Sequence, residues 1–511
     1  MPAILSSIMS LVNFRRMGQI DFFKKNPIEV QQSILFSLLK KAADTEIGRQ
    51  HDFNTILSVS TFQERLPVVD YEQVCPVVER LRAGEKNLLW PGDVRWFAKS
   101  SGTTSSKSKF IPVTKQSLED CHFRGGRDVI AIYNDLFPDN ALFTGKSLTL
   151  GGSHQINNFS NDSYYGDLSA ILIENMPFWT HFIRTPSQSI ALMDEWEEKI
   201  TKITEATINE NVTSLAGVPS WFLVLIKHIL NQTGKEKLTD VWPNLELFIH
   251  GGINFTPYRE QYKALIPNEG MHYMETYNAS EGFFAIQDDL SQPGMLLMLD
   301  YGIFYEFMPQ DQVGKEHPRL LTLEDVELNT DYAMVITTNG GLWRYMIGDT
   351  VRFINKEPFR IVITGRVKLF INAFGEEVMI DNAERAMHEA CAQTGALIRE
   401  YTGAPLYMGT NNKGAHEWVI EFEKKPSDTQ RFMQVFDTTL QSVNSDYEAK
   451  RYKNMTLDTP QLVIARENLF FDWLKTYKKV GGQNKVPRLQ NNREIIEQLI
   501  SMNGRIDDQR S

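Results

Sequence analysis

Residues 99–109, KSSGTTSSKSK, place seven hydroxyl side chains, one glycine and three lysines in eleven positions. Hydroxyls and backbone N–H groups donate to phosphate oxygens, glycine lets the backbone come close, and lysine supplies charge. The chemistry this stretch suits is the gripping of a polyphosphate. It is not a Walker A loop, because the glycine spacing is wrong and the next residues, Phe110-Ile-Pro-Val, read as a strand where a Walker A loop opens into a helix. The expected setting is strand, loop, strand, with Thr114 free to cap a later helix. By composition alone the same residues suit a solvated turn or linker. The apolar flanks, Val94-Arg-Trp-Phe97 and Phe110-Ile-Pro-Val, weigh against that, as does the company of other motifs.

The elements that must position this loop are those of a large protein. A chain of 511 residues is too long for one compact core, so at least two domains are expected. Its 42% hydrophobic and 11% aromatic content is ample for packed cores. Net charge is −11, with the two signs mixed along the chain, which gives no electrostatic footprint for nucleic acid or an anionic membrane. Cys75, Cys121 and Cys391 are far apart and odd in number, so reduced structural thiols are expected. The N-terminal apolar run is short and its arginines follow it, unlike a secretory signal. No stretch approaches a membrane-spanning length, and the expected location is the cytoplasm. Nothing in the sequence speaks to oligomeric state.

Residues 1–58 read as helical, with Val30, Ile34 and Leu38 on one apolar face. Residues 213–216, 245–250 and 272–275 read as strands and 220–230 as a helix, an alternation that predicts an α/β fold with a partly parallel sheet. Residues 333–353 read as strand, glycine turn, strand, and 360–365 as one more strand. Beyond them the texture becomes α+β: a capping box of Asp381 with Glu384 opens a helix through Cys391, 416–422 is a half-exposed strand, and Ser427 caps another helix. The boundary falls at residues 366–368, dividing a large N-terminal domain (1–366) from a smaller C-terminal one (367–511).

Several motifs together resemble the Gretchen Hagen family of auxin-responsive acyl acid–amido synthetases, in a form like its bacterial members, within the adenylate-forming ligases. They are DTEIGRQH (44–51), PVVDYE (67–72), the hydroxyl loop, YNASE (277–281), TTNGGLWRYMIGD (337–349) and GGQNKVPR (481–488). The resemblance implies a large α/β domain capped by a mobile α+β C-terminal domain. It also implies a two-step reaction on small molecules, using ATP and Mg²⁺. A carboxylate attacks the α-phosphate of ATP to give acyl-AMP and pyrophosphate, and an amino acid's amine then takes the acyl group and releases AMP. A carboxylate is a poor acyl donor until its oxygen becomes a good leaving group, so positioning and charge stabilisation carry the catalysis.

Carried over by motif, Ser100, Ser101, Gly102, Thr103 and Thr104 grip phosphate and Lys109 is the closing basic residue. Ser106 stands where many members have glycine. Glu281 matches the Mg²⁺-holding glutamate, with Tyr277 beside the adenine and Ser280 in register. Gly251 and Gly252 follow a strand where backbone lines the adenine pocket, and His250 fits equally a hydrogen-bonded core histidine. Asp349 and Arg366 match the residues that reach the ribose hydroxyls. Met346 replaces an arginine of many plant members, and Lys368 stands where cousins have a hinge acid. Lys485 matches the late lysine that stabilises charge during adenylation; read alone, it is a solvated surface group. Val218, Trp221 and Phe222 begin the helix that lines the acyl site, or are a buried helix start. Transfer to coenzyme A, or an inactive nucleotide-binding relative, are the competing functions.

Overall fold

The protein, seen here in a computed structural model, is described over residues 2–101, 108–151, 157–158, 163–193, 195–253, 255–367, 369–408, 413–452, 456–477 and 486–504. It opens with the helices Pro2–Lys25 and Pro27–Ala42. Proline suits a first helical turn, where its missing N–H would have no partner. The buried face of the second helix is Gln31, Leu35, Leu38, Leu39 and Ala42, one position round from the expected Val30–Ile34–Leu38 stripe. The shift has a cause. The Gln31 amide donates to the carbonyls of Leu299 and Ile303 at 2.9 Å each and accepts from the Tyr305 N–H at 2.9 Å, so a polar residue occupies the buried side.

An eleven-stranded sheet forms the body of the protein. Its parallel half runs Arg184–Thr185, Lys146–Thr149, Val212–Gly217, Leu247–Gly251 and His272–Ala279. Helices Pro219–Thr233 and Arg259–Leu265 lie between consecutive strands of it, as parallel connections require. The sheet then turns antiparallel through Gly282–Ile286, Met295–Leu297, Phe359–Arg366, Tyr345–Lys356, Asp331–Thr338 and Ile303–Pro309. Alternation along the parallel strands sends Leu148, Leu215 and Phe248 into one core and leaves the other face to the cleft. The expected strands at 213–216, 245–250, 272–275 and 360–365 and the strand–turn–strand at 333–353 all lie here, each starting within two residues of its observed start, while His272–Ala279 runs four residues and Tyr345–Lys356 three residues past the expected ends.

From residue 380 on, helices Ile380–Thr394 and Thr429–Val443 cover one face of the sheet formed by Leu397–Leu406, Ala415–Lys424 and Gln461–Ile464. Trp418 and Ile420 point into the core beneath them, whereas Val419 points to the other face, against Leu469 and Trp473. Two caps differ from expectation. The Ile380–Thr394 helix starts one residue before Asp381, and Asn382 accepts from the Met379 N–H at 2.9 Å, while Glu384 turns outward to pair with Arg488. The next helix is capped by Asp428, not Ser427: its carboxylate reaches the N–H groups of both Gln430 and Arg431, and a charged acceptor outcompetes a hydroxyl for them. No described helix is long and apolar enough to cross a membrane. All three cysteines are free.

Candidate active site

Strands Trp96–Ser101 and Ser108–Val113 pair antiparallel, setting Ser100 opposite Lys109. Thr114 follows and caps the next turn, accepting from the Ser117 N–H at 3.0 Å. The strand–loop–strand–cap reading therefore holds at both flanks. The hairpin is fixed from outside: the Phe110 N–H donates to the Tyr71 hydroxyl at 2.8 Å, and the Arg82 guanidinium lies 4.0 Å from the Phe110 ring centroid. Gly102, Thr103, Thr104 and Ser106 lie outside the described residues, as do Lys368 and Lys485.

Lys99, Ser100 and Lys109 line a cleft of about 1860 Å³. Across it the sheet presents Gly251, Gly252, Tyr277, Ser280, Glu281, Asp349 and Arg366, so these expected residues are brought together. The two glycines have different reasons. A Cβ on Gly251 would come within 2.4 Å of the Thr276 carbonyl, and Gly252 has a φ of +80°, which side-chain-bearing residues avoid. His250 before them is a core histidine. It stacks on Phe255 with centroids 4.2 Å apart, its Nδ1 is buried with no partner among the described residues, and burial pushes its pKa down to about 3.

Asp349 and Arg366 are register partners on adjacent strands. Arg366 Nε is 2.8 Å from Asp349 Oδ1, the Tyr277 hydroxyl donates to Asp349 Oδ2 at 2.6 Å, and Arg366 Nη2 donates to Glu377 Oε1 at 3.1 Å. The Tyr277 ring itself packs on Phe284 at 4.8 Å, and burial raises its hydroxyl pKa well above the ordinary value, so it acts as a fixed donor. Glu377 was not anticipated from the sequence. It lies beyond the boundary motif and adopts a φ of +39°.

Glu281 sits in the two-residue turn between His272–Ala279 and Gly282–Ile286. Burial raises its carboxyl pKa, while the charges of Lys109 and Arg366 pull it back. No described cation pairs with it at ion-pair distance, and no cluster of three metal-ligating side chains exists among the described residues. A partly desolvated carboxylate with no cation partner among the described residues, in the same cleft as Ser100 and Lys109, fits Mg²⁺, which takes one or two carboxylates and fills its other positions with phosphate and water.

Val218 and Trp221 reach the cleft, but Phe222 does not. Phe222 is fully buried against Phe248, centroids 5.3 Å apart. Successive helical residues point about 100° apart, so only one of the two aromatics at this helix start can face the cleft. The expected acyl-site role of Phe222 is corrected to a core role. Trp221 also meets the C-terminal part of the chain, donating to the Phe374 carbonyl at 3.3 Å with the Lys450 ammonium 4.3 Å from its ring centroid. Ser108 and Ser445 hydroxyls meet at 3.0 Å, and the Tyr258 hydroxyl donates to the Ala373 carbonyl at 2.7 Å. Lys450 and Asp446, one helical turn apart, line the cleft with Asp167. No local motif marks these residues; only the docking of distant segments reveals them.

Comparison with known proteins accords with this geometry. The GH3 family N-terminal domain matches residues 16–271, just over half of the chain; the GH3 family central domain matches 296–366 and the GH3 family C-terminal domain 381–494. The chain is 23% identical to indole-3-acetic acid-amido synthetase GH3.4 of Arabidopsis thaliana, covering 94% of this chain and 92% of the relative. It is 24% identical to indole-3-acetic acid-amido synthetase GH3.8 of Oryza sativa subsp. indica, covering 94% and 91%. In fold it is similar to the GH3.15 acyl acid amido synthetase, with a TM-score of 0.60 at 18% identity over 95% of both chains. It is also similar to 2-hydroxyisobutyryl-CoA ligase, with a TM-score of 0.57 at 12% identity over 95% and 93%. With its hairpin, glycine pair and Asp349–Arg366 pair in one cleft and all three family models matched in order, the chain belongs to the GH3 family.

Proposed function

We propose the following course for the reaction in this cleft. The chain is an acyl acid-amido synthetase, a ligase that forms a carbon–nitrogen bond through an acyl-adenylate. The single observation that carries the reading is the convergence of Ser100 and Lys109 from the hairpin with Glu281, Asp349 and Arg366 from the sheet on one cleft. ATP lies with its ribose hydroxyls toward Asp349, whose carboxylate is already oriented by Tyr277 and Arg366, and with its adenine along the Gly251–Gly252 backbone. Its phosphates lie along the hairpin, where Ser101, Gly102, Thr103 and Thr104 extend the grip and Ser280 flanks the turn. Mg²⁺ at Glu281 supplies charge neutralisation on the phosphates. Lys109 stabilises the charge that develops as the substrate carboxylate attacks the α-phosphate, and Lys485 does so from the C-terminal side. Pre-oriented donors in a partly desolvated cleft favour the transition state because they need not reorganise.

The acid lies on the Val218 and Trp221 side. The unit beyond residues 366–368 caps the cleft, with Lys450 and Asp446 over the acyl end, so that the amine reaches the acyl carbon under cover. The acid and the amino acid are both small molecules. The test is product analysis after incubation with ATP, Mg²⁺, a panel of carboxylic acids and either amino acids or coenzyme A. The account expects AMP, pyrophosphate and an amide, with a hydroxamate when hydroxylamine replaces the amino acid. A thioester without any amide would assign the second step to coenzyme A instead.

A further inference from the structure

Arg184 opens the edge strand of the parallel half-sheet. It lies opposite Ser147, which lies opposite Ser214, which lies opposite Leu247. On these strands Ser147, Thr149, Ser214 and Ala216 line the cleft, while Leu148 and Leu215 between them are buried in the core behind. The cleft face is thus a floor of small side chains, and Arg184, in the row of Ser147, stands at its far end. Three strands across and four residues along from Gly251, its Cα is roughly 20 Å from the adenine end. Leu172, Met176, Phe182 and Ile183 make the walls apolar.

The charge of Arg184 is unanswered. It makes no ion pair among the described residues, its Nε is buried with no partner, and its Nη1 meets only the Met176 sulfur. Burial with no compensating charge depresses its pKa to about 10. The other deeply placed guanidiniums all have carboxylates: Arg16 has Asp128 and Asp300, Arg344 has Glu306, Arg366 has Asp349, and Arg451 has Asp437. An uncompensated buried charge is costly, and a guanidinium is a planar fork shaped to take a carboxylate through two hydrogen bonds. Facing an apolar-walled trough that begins at the adenylating end, it is a site awaiting an anion from the substrate.

We infer that Arg184 selects a dicarboxylic acid, binding the distal carboxylate while the other carboxyl is presented for adenylation. The inference rests on the adenylation reading, and its test separates the two. Full-length protein is titrated calorimetrically with adipate, suberate, sebacate and 4-carboxycinnamate against hexanoate, octanoate, decanoate and cinnamate, and the same pairs are run in ATP–pyrophosphate exchange. Wild type should favour at least one diacid over its monoacid by about 10- to 100-fold, the worth of a charge-assisted hydrogen-bonded pair. Arg184→Met should abolish that preference and raise kcat/KM for the monoacid, and its Tm should rise because an unpaired buried charge is gone. Arg184→Lys should restore part of the preference. Equal binding across all pairs, a preference that survives in Arg184→Met, or a lower Tm for that variant (the mark of a structural strut) would each overturn the inference. Arg184-dependent diacid binding without exchange upholds it and sinks adenylation; exchange without diacid preference does the reverse.

Discussion

At one end of the cleft Arg366 reaches Asp349 at 2.8 Å and Glu377 at 3.1 Å, and Asp349 takes a further hydrogen bond from Tyr277. At the other end Arg184 has no carboxylate partner among the described residues. Under the proposed function the first end holds the nucleotide, the same in every turnover, so its groups can be wired to one another beforehand, at no cost to selectivity. The acid is the variable partner, and a polar group left unsatisfied there makes binding conditional on what the substrate brings. Pre-pairing gives rate and fold stability, whereas the unpaired charge gives choice at the expense of stability.

Removing Glu281, a cleft carboxylate with no cation at ion-pair distance among the described residues, should have the largest effect. Glu281→Gln should lower exchange by at least about 10³-fold, roughly 4 kcal/mol of lost metal and phosphate stabilisation, with little change in unfolding. Near-normal turnover of that variant at low Mg²⁺ would contradict the metal role. Next comes a pre-paired charge that supports the same sheet. Arg344 is 5% exposed, bonds both oxygens of Glu306 and donates to the Gln63 and Leu66 carbonyls. It precedes the strand that carries Asp349. Arg344→Ala should destabilise by roughly 3 kcal/mol in chemical denaturation, since a buried carboxylate is stranded. A loss below about 1 kcal/mol would show that the pair is dispensable and blur the contrast with Arg184.

The smallest effect concerns pH. His250 has a native pKa of about 3 against an ordinary 6.5, so the native state keeps it neutral while the unfolded chain protonates. Its contribution to stability is therefore complete above pH 6.5 and is lost as pH falls toward the native value. At pH 5 the loss is roughly 2 kcal/mol relative to pH 8. Denaturation midpoints of wild type and His250→Phe at the two pH values should differ by that amount in their pH dependence. Identical losses would mean that the ring is not held neutral.

Much of this was legible in the chain. The strand at Leu247–Gly251 announces itself because a buried parallel strand favours an apolar run such as Leu247-Phe-Ile, and the motif residues Glu281, Asp349 and Arg366 do meet in one cleft. What the sequence hid is what depends on phase and on distant partners. Trp221 and Phe222 are adjacent aromatics, and only the rotation of the Pro219–Thr233 helix decides which one faces the cleft. Asp428 and Ser427 are both good caps, and the carboxylate, which takes the N–H groups of both Gln430 and Arg431, won over the hydroxyl. Glu377, Asp446 and Lys450 belong to no local pattern and join the cleft only because the C-terminal elements dock across it. Arg184 stands on a two-residue edge strand, and only the absence of a partner, which no sequence displays, marks it.

The central claim is that this cleft activates acids by adenylation, and acid-dependent ATP–pyrophosphate exchange by the full-length protein tests it most directly. The account predicts label entering ATP only when a suitable carboxylic acid and Mg²⁺ are both present, and loss of that exchange in Glu281→Gln. Release of ADP and phosphate in place of AMP and pyrophosphate, or exchange indifferent to the acid, would contradict it.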